Sequence, residues 1–152
     1  MRAAVYRGIN RVEVEEVDIP RLQVGEVLIK VHACGVCGTD LKKIHYGLVP
    51  PPRIFGHETA GVIVEVGEGV TEWKVGERVL VNHHVPCLRT DCFFCQRRVF
   101  AQCPVYKKTG TTAGFEPAGG GFAEYVRVMD WCASGGMVRI PETSTFEEAS
   151  FV

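Results

Sequence analysis

Four cysteines stand close together in the second half of the chain, with mostly polar and turn-forming residues between them. Four thiolates in so short a stretch match the ligand set of a tetrahedral structural zinc site. Two of them in a C-x-x-C pair would equally suit redox chemistry, and the spacing leaves an iron–sulfur cluster or a nucleic-acid-binding zinc ribbon open. The residues predicted to bind one metal ion are Cys87, Cys92, Cys95 and Cys103.

A second candidate site joins residues that are further apart in the sequence. Cys37 follows one predicted strand, and His57 with Glu58 precedes another, so neighbouring strand ends would bring a thiolate and an imidazole together. Zinc accepts both ligand types, and Asp40 or Glu58 would then fix the tautomer of His57. Two other interpretations stay open here: a structural histidine with a buried thiol, and a redox pair of Cys37 with Cys34.

The elements that would position these residues are mainly strands. Runs rich in β-branched residues, bounded by glycine or alternating with polar residues, predict strands at 27–32, 61–67, 76–82 and 122–128. Helical patterns are short: one covers 39–46, and one covers 146–152 after a capping-box sequence from Ser144 to Glu147. Many short strands with little helix favour a closed or nearly closed β architecture.

Composition limits the classes of function. With 152 residues, of which 46% are apolar, the chain can bury the core of a single domain. A net charge of −1 argues against nucleic-acid binding through a basic face. No apolar run suits a membrane helix and the first residues carry no secretion signal, so we expect a cytoplasmic protein. Seven cysteines, an odd number, favour metal ligation over disulfides.

Three motifs resemble those of one enzyme family. They are Gly56-His57-Glu58 with glycines following at 61 and 67, Cys34-Gly35-Val36-Cys37-Gly38-Thr39-Asp40, and Gly120-Gly121-Phe122-Ala123-Glu124-Tyr125. Together they resemble the zinc-containing medium-chain alcohol dehydrogenases, and the resemblance runs along the whole chain. It implies a mainly β, GroES-like fold, in which a partly closed β-barrel carries short helices and a zinc-binding cysteine lobe.

The resemblance implies roles for individual residues of the second site. Cys37 and His57 would bind a catalytic zinc ion, and Glu58 would sit beside the metal and be able to approach it. Thr39 would accept the substrate proton, and Asp40 would hold His57 in place. Thr39 and Glu58 are therefore the candidate catalytic residues, and Cys37, His57 and Glu58 are the candidate ligands of the catalytic zinc ion.

The chain also departs from the family pattern. Lys42 stands where family members often have a proton-relay histidine, and His45 follows three residues later. In the cysteine lobe, which the resemblance assigns to a second, structural zinc ion, four residues separate Cys87 from Cys92 where two are usual. We expect this wider gap to bulge outward. No candidate for a third protein ligand of the catalytic zinc ion occurs before Val152.

The function implied by the resemblance is that of an NAD(P)-dependent alcohol or polyol dehydrogenase, in which zinc polarises the substrate hydroxyl for hydride transfer. No glycine-rich dinucleotide-binding turn is evident, so residues 1–152 are predicted to be an incomplete catalytic domain that is inactive alone. A Rossmann domain elsewhere would bind NAD or NADP, and the full-length enzyme is expected to be a homo-oligomer. The alternatives are a zinc-free quinone-reductase-like relative and a non-enzymatic zinc-binding module.

Overall fold

Strands and short helices make up the described part of the chain. The computed structural model describes residues 1–82, 84–109 and 119–151, the last three residues of the middle range by backbone alone. The strands are β1 (Arg2–Gly8), β2 (Arg11–Glu16), β3 (Val27–Gly35), β4 (Arg53–Ile54), β5 (Glu58–Val66), β6 (Arg78–Val81), β7 (Tyr125–Val128) and β8 (Met137–Arg139). The helices are α1 (Gly38–Tyr46), α2 (Phe93–Gln96), α3 (Pro104–Thr109), α4 (Asp130–Gly135) and α5 (Phe146–Ser150), with a 3₁₀ helix at Phe100–Gln102. None of these helices has the length and apolar character that crossing a bilayer requires.

The strands form two antiparallel sheets. One has the order β2-β1-β4 and the other the order β7-β3-β5-β6-β8. They meet just before β7, where the Phe122 carbonyl accepts a backbone hydrogen bond from Ala4 at 2.8 Å and the Glu124 carbonyl accepts one from Val31 at 2.9 Å. The expected mainly β fold with short helices is confirmed, and within the described residues the sheets do not close into a complete barrel.

The main core lies against the five-stranded sheet. Ile29 of β3, Ile63 of β5 and Val79 of β6 are fully buried there and pack with Trp73. The Trp73 indole N–H donates to the Ala133 carbonyl at 2.7 Å, which fastens α4 to the same core. Because burial of these apolar side chains stabilises β3, β5 and β6 as one unit, the ends of those strands hold fixed relative positions.

The predicted strands correspond to β3, β5, β6 and β7, and the predicted helix at 39–46 corresponds to α1. β7 begins at Tyr125, three residues later than predicted, because the residues before it pair with β1 instead. The Glu124 N–H donates to the Arg2 carbonyl at 3.1 Å in that crossing. Strands β1, β2, β4 and β8 and helices α2 to α4 were not predicted from the sequence; of these strands β2, β4 and β8 lie at sheet edges, whereas β1 is the central strand of its sheet.

The capping box before α5 is real, but it lies one residue later than predicted. Thr145, not Ser144, is the N-cap: its hydroxyl accepts the Glu148 N–H at 3.1 Å, and the Glu148 carboxylate accepts the Thr145 N–H at 2.9 Å. Two consecutive hydroxyl residues followed by two consecutive glutamates fit both registers in sequence. The hydrogen bonds select the register that buries Ala149 and Ser150 against the sheet.

Replacing Val79 with alanine tests the position of the core. The substitution removes two fully buried methyl groups and leaves a cavity, so we expect the free energy of unfolding to fall by about 2 to 3 kcal/mol. The matched control is Val14→Ala in β2, whose side chain is 77% exposed and whose replacement should change stability by less than about 0.5 kcal/mol. Denaturant unfolding at one fixed zinc concentration measures both, and equal losses would contradict this core.

Candidate metal centres and active site

The four clustered cysteines converge on one point. Their sulfur atoms all lie within 4.8 Å of one another, and the sulfurs of Cys87 and Cys95 are 3.7 Å apart. A tetrahedral site with zinc–sulfur bonds of about 2.3 Å places its sulfurs roughly 3.8 Å apart. The spacing and the soft donor set therefore fit a tetrahedral zinc ion held by Cys87, Cys92, Cys95 and Cys103.

The wide gap between Cys87 and Cys92 turns outward, as expected from the sequence. Leu88 has a left-handed backbone with φ of 51°, and its side chain is 59% exposed. Arg89 and Asp91 pair with each other on the surface. The extra residues therefore extend into solvent, and the Cys87 sulfur stays with the other three.

Backbone hydrogen bonds stabilise the thiolate form of Cys103. Burial alone would raise the pKa of the Cys103 thiol, but N–H groups of Cys87, Val105 and Tyr106 point at its sulfur and lower the net pKa. The Cys95 thiol has the opposite shift, because burial and the neighbouring cysteines raise its pKa. Four sulfurs this close repel one another as thiolates, so a divalent cation is what allows all four to ionise together.

The second candidate centre forms where β3 and β5 pair. In their antiparallel register Cys34 lies opposite Thr59 and Gly35 lies opposite Glu58, so the end of β3 meets the start of β5. Cys37 then follows β3 and His57 precedes β5. One donor atom each from Cys37, His57 and Glu58 lies within 4.8 Å of the others. A thiolate, an imidazole and a carboxylate are ligands that zinc accepts.

Asp40 links the helix to the histidine. Its carboxylate accepts the backbone N–H of Cys37 at 3.1 Å at the start of α1, and its other oxygen lies 3.2 Å from the His57 Nδ1 atom. The Asp40 side chain has no solvent exposure. A buried carboxylate at Nδ1 holds the proton on that nitrogen, which leaves Nε2 with its lone pair for a metal.

The shifts in pKa agree with this arrangement. Burial alone would raise the pKa of Asp40, but the contact with His57 and the backbone N–H groups of Cys37 and Gly56 outweigh it, and the net pKa is lowered. The contact with Asp40 raises the pKa of His57, against the opposing effect of burial. Asp40 therefore remains a carboxylate while it orients the imidazole.

Thr39 borders the same point from the first turn of α1. Its hydroxyl lies 3.2 Å from His57 Nε2, the nitrogen that faces away from Asp40. Its hydroxyl and backbone N–H also lower the pKa of the Cys37 thiol. Thr39 is exposed, so its hydroxyl can contact both a group bound between Cys37 and His57 and the surrounding water.

Glycines permit the close approach of the segments around His57. The Glu58 carboxylate lies where a β-carbon on Gly35 would stand, so a side chain at Gly35 would displace it. Gly56 has φ of +96°, and a β-carbon there would come within 2.7 Å of the Phe122 backbone nitrogen. The Gly121 N–H donates to the Gly56 carbonyl at 2.8 Å. This hydrogen bond fixes the backbone just before His57 against the segment at Gly121.

The two remaining cysteines lie outside both centres. The Cys34 sulfur is 3.4 Å from the Thr59 hydroxyl, and burial raises its pKa to about 11. Burial likewise raises the pKa of Cys132, which is 3% exposed, to about 12. Neither sulfur belongs to a group of possible metal ligands among the described residues, and a thiol of raised pKa is a poor nucleophile, which weakens the interpretation of Cys34 and Cys37 as a redox pair.

A small cavity next to His57 and Glu58 was not anticipated from the sequence. Its volume is about 170 Å³, and its polar lining includes Asn82, His84 and Ser150. A histidine just after the predicted strand at 76–82 was the available signal, because that strand pairs with the one that follows His57. No motif or spacing indicated Ser150, whose position depends on how α5 packs.

Comparison with known proteins now decides the family. The model of the alcohol dehydrogenase GroES-like domain matches residues 23–142. The chain belongs to the alcohol dehydrogenase GroES-like domain family. An alcohol dehydrogenase of Geobacillus stearothermophilus is 40% identical over 99% of this chain and 43% of its own length. A sorbitol dehydrogenase of Bacillus subtilis is 34% identical over the whole chain and 42% of its own length.

Solved structures of similar proteins agree with this family. Galactitol-1-phosphate dehydrogenase from Escherichia coli superposes with a TM-score of 0.77 at 28% identity, over 99% of this chain and 41% of the other. A zinc-binding dehydrogenase from Sinorhizobium meliloti, bound to NADP, superposes with a TM-score of 0.76 at 31% identity, with the same coverage. The chain thus spans about two fifths of the length of these relatives, and the resemblance found in its motifs is confirmed.

Removing the charge of Asp40 should weaken the second centre of this GroES-like domain without unfolding it. In Asp40→Asn the amide oxygen can still accept the Cys37 N–H, but it no longer polarises the His57 ring. We expect the zinc affinity of this centre to fall by about 10- to 100-fold, with the cysteine lobe unaffected. Competition with a chromophoric chelator measures it. Asp130→Asn, an exposed first-turn residue of α4, is the control and should change neither affinity.

Proposed function

We propose that residues 1–152 form the catalytic domain of a zinc-dependent, NAD(P)-dependent alcohol or polyol dehydrogenase. Cys37, His57 and Glu58 would hold the catalytic zinc ion, and the four-cysteine lobe would hold a structural one. The observation that carries the proposal is the meeting of a thiol, an imidazole and a carboxylate within 4.8 Å, with the Thr39 hydroxyl 3.2 Å from the ligand nitrogen. The names of the relatives support the same chemistry.

Zinc bound in this centre would act as a Lewis acid that lowers the pKa of the substrate hydroxyl. The residues of the chain would do the rest. Asp40 keeps His57 in the tautomer that can bind the metal. Thr39 Oγ would accept the proton of the substrate hydroxyl as its own hydroxyl proton passes to water, which it can reach because the residue is exposed. This direct route supports activity in a chain that has Lys42 instead of the relay histidine.

A bound nicotinamide would supply the hydride acceptor, so that the alcohol would become a carbonyl product with release of one proton. We place the nicotinamide site in a part of the protein outside residues 1–152. Two facts support this placement: the curated relatives are more than twice as long as the matched region, and structures similar to this chain contain NADP or NADH. The structure favours neither cofactor.

Three finer expectations remain predictions. The homo-oligomer implied by the resemblance is untested. A reducing compartment such as the cytoplasm is supported by the need of two cysteine-containing centres for free thiolates, since oxidation to disulfides would destroy both. Among substrates, a small alcohol or polyol is consistent with relatives called alcohol, sorbitol and D-arabinitol dehydrogenases.

Metal analysis of three variants tests the assignment of both centres. We expect about two zinc ions per unmodified chain and about one in each of Cys37→Ala and Cys95→Ala. Each substitution removes one ligand and so disrupts one of the two centres. Cys132→Ala replaces a buried thiol outside both centres and should retain two. Elemental analysis after dialysis gives the count. A single ion that only Cys95→Ala removes would favour a non-enzymatic zinc module, and no ion would favour a zinc-free reductase relative.

The hydroxyl of Thr39 can be removed with little change of shape in Thr39→Val. We expect kcat for alcohol oxidation by the complete protein to fall by about 10²- to 10⁴-fold, the usual contribution of a positioned proton acceptor. Thr39→Ser keeps a hydroxyl and should retain most of the activity. Steady-state absorbance of the reduced nicotinamide measures both rates. Equal rates in the valine and serine variants would contradict the role of Thr39 in proton transfer.

A further inference from the structure

Arg78 directs its whole guanidinium group at the segment that leads into α5. One terminal nitrogen donates to the Pro141 carbonyl at 3.1 Å, and the other donates to the Ser144 carbonyl at 2.6 Å. The central carbon of the group lies 4.5 Å from the centre of the Phe146 ring. Arginine suits such a contact, because its planar group can stack on an aromatic face while its edge donates hydrogen bonds. Arg78 thus fastens this segment to β6 of the five-stranded sheet.

The Phe146 ring lies between side chains of two different strands. His32 of β3 stacks on it, with ring centres 4.4 Å apart and planes 21° from parallel. β3 and β6 flank β5 on its two sides, and Phe146 packs against the apolar cluster that contains Ala60 of β5. The imidazole and the Arg78 guanidinium therefore approach the ring from opposite sides.

A bulge in β3 aims His32 at this ring. Val31 pairs with Gly61, and Ala33 pairs with Ala60. His32 between them is one residue more than β5 offers opposite it. A bulge turns a strand locally and re-aims a side chain. The backbone of β3 thus departs from regular pairing at the residue that reaches α5.

α5 needs contacts of this kind because it is short. A helix of five residues is unstable by itself, and the capping box at Thr145 fixes only its first turn. Ala149 is buried in a small apolar cluster with Ile140, which adds a limited area of contact. The position of α5 on the sheet therefore depends strongly on Arg78 and Phe146.

The far end of α5 borders the candidate catalytic centre. Ala149 and Ser150 line the cavity that adjoins His57 and Glu58. Arg78 belongs neither to this lining nor to a candidate metal centre. A displacement at the start of α5 would still reach its last residues, because a single hydrogen-bonded helical turn moves as one unit.

We propose that Arg78 is a positioning residue for the reaction. Together with Phe146 and His32 it forms a clamp, and this clamp holds the wall that α5 contributes to the cavity beside His57. The inference rests on the proposed function and adds to it a residue outside the cavity and the zinc ligands. The wall holds the substrate and takes no part in proton transfer, so loosening it should raise KM more than it lowers kcat.

Steady-state oxidation of 1-propanol and of sorbitol by the complete, zinc-loaded protein tests this role. In Arg78→Ala we expect KM for the oxidised alcohol to rise about tenfold, while kcat changes by less than about threefold. Arg78→Lys keeps a cation near the Phe146 ring and can donate one hydrogen bond. Its KM should lie between those of the unmodified protein and Arg78→Ala.

Arg139 of β8 provides the matched control. Its guanidinium lies 4.3 Å from the ring centre of Trp73, and it donates to the Glu72 carbonyl at 2.6 Å. It therefore makes the same types of contact as Arg78, but away from α5. Arg139→Ala should leave KM unchanged even where it lowers stability. Equal increases of KM in the two alanine variants, or an unchanged KM in Arg78→Ala, would overturn the proposal.

Hydrogen exchange measures the clamp without catalysis. The Ala149 N–H donates to the Thr145 carbonyl at 3.2 Å inside α5, so its exchange rate follows the opening of this helix. We expect the amide to exchange about tenfold faster in Arg78→Ala and in Phe146→Leu than in the unmodified protein. The double variant should show less than the product of the two increases, because both substitutions break the same contact.

The two measurements separate the clamp from the proposed function. Unchanged exchange of the Ala149 amide in Arg78→Ala would show that the clamp does not hold α5, and faster exchange with an unchanged KM would refute its role in the reaction. Turnover of neither alcohol by the unmodified protein would instead contradict the proposed function. The exchange rates would still decide whether Arg78 holds α5 in place.

Discussion

The antiparallel register between β3 and β5 is the constraint on which the rest of the site depends. It sets Gly35 opposite Glu58, so the chain leaves β3 toward Cys37 at the place where His57 enters β5. A shift of one residue would turn Glu58 to the other face of the sheet. The register is held because Ile29 and Ile63 from the two strands are buried in one core.

Local interactions refine what the register brings together. Asp40 caps the start of α1 at Cys37 and contacts His57, so one buried carboxylate couples the helix that carries the thiol to the histidine. The Cys37 sulfur and the His57 ring would otherwise sit on separate, independently moving loops. A metal ion binding here would find its ligands already oriented, which reduces the ordering entropy that binding costs.

Much of this site could be predicted because motifs report local chemistry. Cys37, His57 and Asp40 were identifiable from glycine-flanked motifs, and the four-cysteine lobe was identifiable from spacing alone. The sequence could not choose between Ser144 and Thr145 as N-cap, since adjacent residues of the same type fit both registers. It also could not show that His84 stacks on Tyr106, because that contact depends on how the lobe folds back onto the sheet.

The same contact suggests why a metal-binding lobe is part of this domain. Among the described residues, no buried apolar cluster includes the segment from Cys87 to Tyr106, and side chains such as Leu88 and Phe93 are exposed on its surface. Its shape must therefore come from its cysteines and the ion they would share. Tyr106 carries that shape to His84, and His84 lines the cavity beside His57. In the proposed enzyme, the structural ion would thus help to define the cavity beside His57 as well as the stability of the lobe.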